Sequence, residues 1–237
     1  MIKKRLLLMV SMFVMMAVGG AAAASDKGEV LTARQESIVV ISAFAAQGDL
    51  DNLKTALAEG LDKGGLTVNE EKEILIQLYA YAGFPRSLNG LNTLIAVLDE
   101  RKAQGIADTM GPDAAPVDPN RDRYAIGDAN QTNLVGRPVT GRTYEFAPTI
   151  STFLKEHLFG DIFERTVLTW NERELATVSM LAGIGNVNGQ LASHMNVAMH
   201  NGVTPGQLKA MTKILTERVG KATGDNAAAV AQTVLSK

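Results

Sequence analysis

Residues 168–208 read LTWNERELATVSMLAGIGNVNGQLASHMNVAMHNGVTPGQL. Two threonines here stand three residues before a side chain that can reach back to them, Thr169 before Glu172 and Thr204 before Gln207. T-x-x-E/Q is the capping box. The hydroxyl accepts from the third amide of a helix, while the acid or amide side chain accepts from the threonine's own N–H. Pro205 follows Thr204 directly and suits a first helical position, where no N–H is needed. Apolar residues after each box recur at helical spacing, and no run alternates as a half-buried strand would. The stretch predicts helices.

The same signals stand earlier in the chain, as Thr32 with Gln35 and Thr67 with Glu70, and an offset of 137 residues carries the earlier pair of boxes onto the later one. That offset also takes Leu31 to Leu168, Ser42 to Ser179, Ala45 to Ala182, Leu78 to Leu215, and Gly48, Gly65 and Gly83 to Gly185, Gly202 and Gly220. Only glycine closes a helix cheaply in the left-handed conformation. Matched caps at helix starts and matched glycines at helix ends therefore point to duplication of one helical unit. In the first unit the apolar stripes are Ile38, Ile41 and Ala45, then Leu50, Leu53, Leu57 and Leu61, then Ile74, Leu75, Leu78 and Tyr81. After the turn at Gly83, Phe84 and Pro85, a fourth helix carries Leu88, Leu91, Ile95 and Leu98.

The expected fold is all-α, with two tandem helical repeats over 30–104 and 148–237 joined by a long irregular linker over 105–147. The linker is rich in Gly, Pro, Asp, Asn and Arg. Its Arg121, Arg123, Arg137, Arg142 and Tyr144 either wrap the helical body, line a cleft or ride on a flexible tether. An extra amphipathic helix over 150–163, with Phe153, Leu154, Leu158 and Phe159, opens the second repeat.

Composition narrows the setting. The 237 residues are 46% hydrophobic, enough for a sizeable core, and the formal charge of −2 offers no basic stripe for a nucleic-acid partner. Lys3, Lys4 and Arg5 precede a nearly continuous apolar run from Leu6 to Val18, and Ala22 and Ala24 form an A-x-A site before Ser25. That order predicts a signal peptide over 1–24, export to the periplasm or beyond, and no stable membrane anchor once it is cleaved. Its removal takes away three positive charges and shifts the formal charge from −2 to −5. The chain has no cysteine, which excludes disulfide staples, thiolate catalysis, thiolate metal sites and a lipidated N-terminal cysteine.

Two stretches carry a family resemblance: LTARQESIVVISAFAAQGDLDNLKTALAEGLDKGGLTVNEEKEILIQLYAYAGFPRSLNGLNTL and the stretch quoted at the outset. YAGFPRSLNGL in the first, and ERELA followed by SHMNVAMHNGVTP in the second, are their most specific parts. They resemble the repeats of the carboxymuconolactone decarboxylase family. The resemblance implies an all-helical fold, association into homo-oligomers, and either lactone decarboxylation or hydroperoxide reduction of the alkylhydroperoxidase D type. The peroxidase branch uses C-x-x-C-x-x-x-H. With His194 as that histidine, the cysteine positions fall on Val187 and Gln190, so a thiol relay cannot run.

The resemblance leaves Glu174 and His194 as the catalytic pair. A carboxylate on one imidazole nitrogen fixes the tautomer and leaves the other nitrogen to move a proton. Decarboxylation of an unsaturated lactone acid needs a proton delivered to carbon as carbon dioxide leaves. The bland alternative is an N-terminal glutamate favoured by the helix dipole and a histidine satisfied in the core. The offset places Ser37 and Leu57 opposite the pair, so one site per chain is expected.

Around the Gly83 turn, Arg86, Tyr81 and Asn89 are weaker substrate-binding candidates, with Arg86 suited to a carboxylate and Tyr79 and Tyr81 equally suited to filling core space. His157 and His200 read as surface or cap residues, and the ten methionines as a signal-region run and core filling. Three histidines without ligand spacing argue against a metal site. The reading is an exported decarboxylase-like enzyme using no cofactor, on a small carboxylated or lactone substrate. A non-catalytic helical binding or assembly protein is the alternative, and a peroxiredoxin-type antioxidant is disfavoured for want of cysteine.

Overall fold

The computed structural model describes residues 30–236. The signal-peptide expectation over residues 1–24 lies outside them. Among the described residues the chain is helical, with no strand: α1 (Ala33–Gln47), α2 (Leu50–Asp62), α3 (Val68–Ala103), α4 (Arg123–Val135), α5 (Arg142–Phe146), α6 (Pro148–Phe153), α7 (Trp170–Ile184), α8 (Asn188–His200), α9 (Pro205–Ile214) and α10 (Lys221–Leu235). Helix α6 continues as a π-helical segment over Leu154–Ile162, and α9 as another over Leu215–Val219.

All four capping boxes form, on Thr32, Thr67, Thr169 and Thr204, with Pro205 in the first turn of α9. Two of them are tied together. Arg34 Nε donates to Glu172 Oε1 at 2.6 Å, while its Nη1 and Nη2 donate to Glu70 at 3.0 and 2.8 Å. The glutamates that cap α3 and α7 thus share one guanidinium. At the 137 offset α1 falls on α7, and Gly83, which breaks α3 at φ 82°, falls on Gly220 ahead of α10.

The centre of the molecule is the pair α1 and α7. Ile38 to Ala46 of α1 and Arg173 to Ala182 of α7 are buried almost without interruption. A helix buried on every side has no face for water, so the Arg173, Glu174, Thr177 and Ser179 that α7 takes inside depend on the protein for partners. The two helices approach closely because Gly183 has no side chain: a Cβ there would stand 2.7 Å from the Ala43 carbonyl oxygen. Around them α2, α3, α8, α9 and α10 supply Leu53, Leu57, Leu75, Leu78, Leu191, Met195, Leu208, Met211, Ala227 and Val230 to one core. A smaller cluster of Leu134, Leu158, Phe159, Ile162, Phe163 and Val197 joins α4 and the π-helical segment to α8.

The structure corrects the sequence reading in two places. The stretch 105–147 is irregular only in part, since it contains α4 and α5. It is also anchored. Thr109 and Met110 carbonyls accept from the amides of Val68 and Asn69, and Arg101 holds Asp108 in a two-pronged ion pair. The second correction concerns the helix after Gly83. Phe84, Leu88 and Ile95 are more than half exposed, whereas Ser87, Gly90, Leu94, Val97 and Arg101 face inward. Of the stripe read as core, Leu91 and Leu98 are half-buried against the core while Leu88 and Ile95 face outward, and the fully buried stripe lies one residue earlier. Both stripes have helical spacing, and only packing chooses between them.

Candidate active site

Helix α7 enters the core through its Thr169 cap, which places Glu174 one turn inside, fully buried. His194 lies midway along α8, with its side chain 20% exposed. The two meet: His194 Nδ1 and Glu174 Oε2 are 2.8 Å apart. With the carboxylate accepting from Nδ1–H, the imidazole keeps Nε2 as its free nitrogen. The second carboxylate oxygen, Oε1, is buried and has no hydrogen-bond partner among the described residues. Tyr81, just before the Gly83 break, sets its ring edge-on to His194 with centroids 5.8 Å apart. Burial, and then the charge of Glu174, push the Tyr81 phenol up, so it stays neutral, with the Thr177 hydroxyl pulling the other way.

A buried polar seam fixes these groups. Arg173, wholly buried beside Glu174, donates to Gln77 Oε1 at 2.9 Å, to Glu73 Oε2 at 3.0 Å and to the Arg165 carbonyl at 2.9 Å. Gln77 returns two bonds, to the Arg173 carbonyl and to the Thr177 hydroxyl, each at 2.9 Å. Burial pushes Glu73 up, but Arg165 and Arg173 outweigh it and hold the carboxyl below its usual range. Such networks are directional where apolar contact is not. The seam therefore registers α3 against α7, and with it Tyr81 against the Glu174–His194 pair.

His194 opens onto a cavity of about 440 Å3. Its floor is α8, with Gln190, Ser193 and Val197, and one wall is Tyr81 with Leu158 and Phe159. Its far side is the stretch expected as linker, with Gln131 and Leu134 of α4, then Arg137, Thr140, Thr143 and Tyr144. The volume suits a small organic molecule.

Of the sequence candidates, Glu174, His194 and Tyr81 come together. Arg86 and Asn89 do not line the cavity. Arg86 lies near Gly48 at the end of α1, and Asn89 is exposed. The helical break that isolates Tyr81 from them is Gly83 itself. Val187 caps α8, while Gln190 lines the cavity on the turn before His194. His200 sits at the surface end of α8 against Gly136. His157 pairs with Asp161 through Nδ1 at 2.7 Å, and Tyr79 stacks on Phe84 at 4.4 Å. Ser193, Gln77 and Thr177 were not singled out from the sequence, and Gln190 was named there only as a position where the peroxidase motif has cysteine, because isolated polar residues on a helix carry no local signal of facing one site. Among the described residues, no group of three or more His, Asp or Glu side chains could hold a metal ion.

The fold and site describe an all-helical protein with a carboxylate-supported histidine at the wall of a small cavity. Residues 148–233 match the model of the carboxymuconolactone decarboxylase family. That match runs from α6 through α10 and includes both Glu174 and His194. No curated protein matches the chain.

Proposed function

We propose that the chain is a carboxy-lyase-like enzyme that moves a proton on a small carboxylated or lactone substrate without a cofactor. The observation that carries this reading is the 2.8 Å contact between His194 and buried Glu174, with the imidazole at the wall of the cavity. Glu174 fixes the tautomer and balances charge when the ring is protonated, and Nε2 gives a proton to substrate carbon or takes one from it. The surrounding Tyr81, Leu158 and Phe159 limit water, so the proton goes to substrate. The family match over 148–233 supports the same chemistry. A thiol-dependent peroxidase reaction has no nucleophile in a chain without cysteine.

Further features belong to the same reading. Duplication of one helical unit supplies both halves of the core, and the pair is present in the second unit alone. The basic, apolar and small-residue order of the N-terminus supports export to the periplasm or medium. The exposed Phe84, Leu88 and Ile95 support association into a homo-oligomer.

The test is substitution at the pair, with 4-carboxymuconolactone and related lactone acids as substrates. His194→Gln keeps size and hydrogen bonding but cannot exchange a proton near neutral pH, so turnover should fall by about 100-fold or more at unchanged Tm. Glu174→Gln should be nearly as damaging, because an amide can donate where the carboxylate accepted and so reverse the tautomer. Loss of stability with unchanged activity per folded molecule would make the pair a core feature and retire the reading.

A further inference from the structure

Among the described residues that line the cavity, Arg137 is the one lysine, arginine, aspartate or glutamate. Among the described residues it makes no ion pair or side-chain hydrogen bond, whereas Arg34, Arg101, Arg121, Arg123, Arg165, Arg173 and Arg218 all hold carboxylates. Of the polar side chains that share the wall, Gln131 is buried and Gln190, Ser193, Thr140 and Thr143 are exposed, and none makes a side-chain hydrogen bond among the described residues. A wall with one free cation, no anion and unused donors is chemically complementary to an organic anion.

Arg137 is an exposed residue, but the backbone that carries it is held in place. It follows Gly136, the left-handed cap of α4, whose backbone lies so close to His200 that a Cβ there would stand 2.7 Å from the ring. Asn201 Nδ2 donates to the Leu134 carbonyl at 2.8 Å, fastening the end of α4 to the end of α8. The helix that carries His194 thereby also positions the turn that carries Arg137.

We propose that Arg137 is the carboxylate-binding residue of this site, and that the cavity takes a small organic acid with one carboxylate on Arg137 and its reacting carbon toward His194. This rests on the proton-transfer reading above and extends it to substrate recognition. A guanidinium stabilises the bound carboxylate in the ground state, so the group it holds is the one retained. Any carboxylate that leaves belongs to the His194 end. The substrate therefore carries an anionic group besides the reacting one.

The test uses binding, not turnover. Benzoate and its neutral isostere benzamide are titrated into the full-length protein at low ionic strength, and the NMR signals of His194 and Ser193 are followed. Benzoate should shift both and bind about tenfold or more tightly than benzamide, a difference of ~1.4 kcal/mol. Arg137→Gln should remove that preference, Arg137→Lys should keep part of it, and Arg142→Gln, at an exposed arginine outside the cavity, should leave it unchanged. Equal binding of the two probes, no benzoate shift at His194, or a preference that survives Arg137→Gln overturns the proposal. His194→Gln should still bind benzoate. Lost anion preference with a proton-transferring pair intact, or the reverse, tells the failure of one reading from the failure of the other.

Discussion

Glu71 stands where the second helical group has Leu208, and it is as deeply buried as that leucine. Neither carboxyl oxygen has a hydrogen-bond partner among the described residues. Burial pushes the group up to about 9; Arg101 opposes the shift, and Asp108 and Glu70 add to it. A carboxyl that binds its proton more tightly folded than unfolded gives stability that falls as pH rises from its ordinary value of 4.5 toward 9, at up to ~1.4 kcal/mol per pH unit. Glu71→Gln should remove that slope. Urea melts at pH 5 and pH 8 should show the variant gaining on the parent as pH rises, and a constant difference would mean that the carboxyl is not held neutral. The adjacent Glu70 behaves oppositely: burial pushes it up, but Arg34 and Thr67 outweigh this and hold it low, so its contribution is lost as pH falls. Two neighbouring glutamates have opposite signs because one meets a guanidinium and the other is buried without a hydrogen-bond partner beside Gly60.

Helix α4 and the π-helical segment over Leu154–Ile162 cross at two glycines. A Cβ on Gly127 would lie 1.7 Å from the Lys155 carbonyl oxygen, and one on Gly160 would lie 2.6 Å from that of Arg123. No rotamer relieves a clash with backbone, so Gly127→Ala must push the helices apart. The crossing brings Gln131 and Leu134 to the same cavity as Leu158 and Phe159, so the damage should reach the site. Gly127→Ala should lower stability by about 1–3 kcal/mol and weaken benzoate binding, although no residue that touches the ligand has changed. Thermal melts with the same NMR titration check both effects. Unchanged binding would show that α4 does not set the cavity wall. Outside this crossing, Asn130 reaches the Phe159 carbonyl and Glu164, so the element is seated by hydrogen bonds as well as by shape.

At the scale of the molecule, the two helical groups share one core but not one surface. The outer face of the helix after Gly83 carries Phe84, Leu88 and Ile95, where α10 carries Lys221, Asp225 and Gln232 at the 137 offset. Phe84, Leu88 and Ile95 are 61%, 55% and 57% exposed, an apolar stripe too continuous for a lone soluble helix. A second copy of the chain is the expected cover. Light scattering at micromolar concentration should give a mass of two chains or more, and Ile95→Glu should shift it toward one chain while the circular dichroism spectrum stays unchanged. A strictly monomeric parent would sink this expectation.

The sequence by itself determined the helical class, the four helix starts and the breaks at Gly48, Gly83 and Gly185, because caps and left-handed glycines act within a few residues of where they stand. The absence of thiol chemistry was also settled there, since a missing residue type is missing in any fold. Glu174 and His194 could be named from motif resemblance, but their 2.8 Å contact depends on how α7 and α8 pack, and twenty residues of separation do not encode it. Tertiary structure alone put Arg137 at the cavity and Arg86 away from it, because two free arginines look alike in a sequence and differ only in what the chain folds beside them. It also decided the buried stripe after Gly83, where two apolar helical faces competed and the core admitted the one with Gly90, whose missing side chain lets Leu75 approach. Local signals fix local geometry. Which faces meet is a property of the whole packed chain.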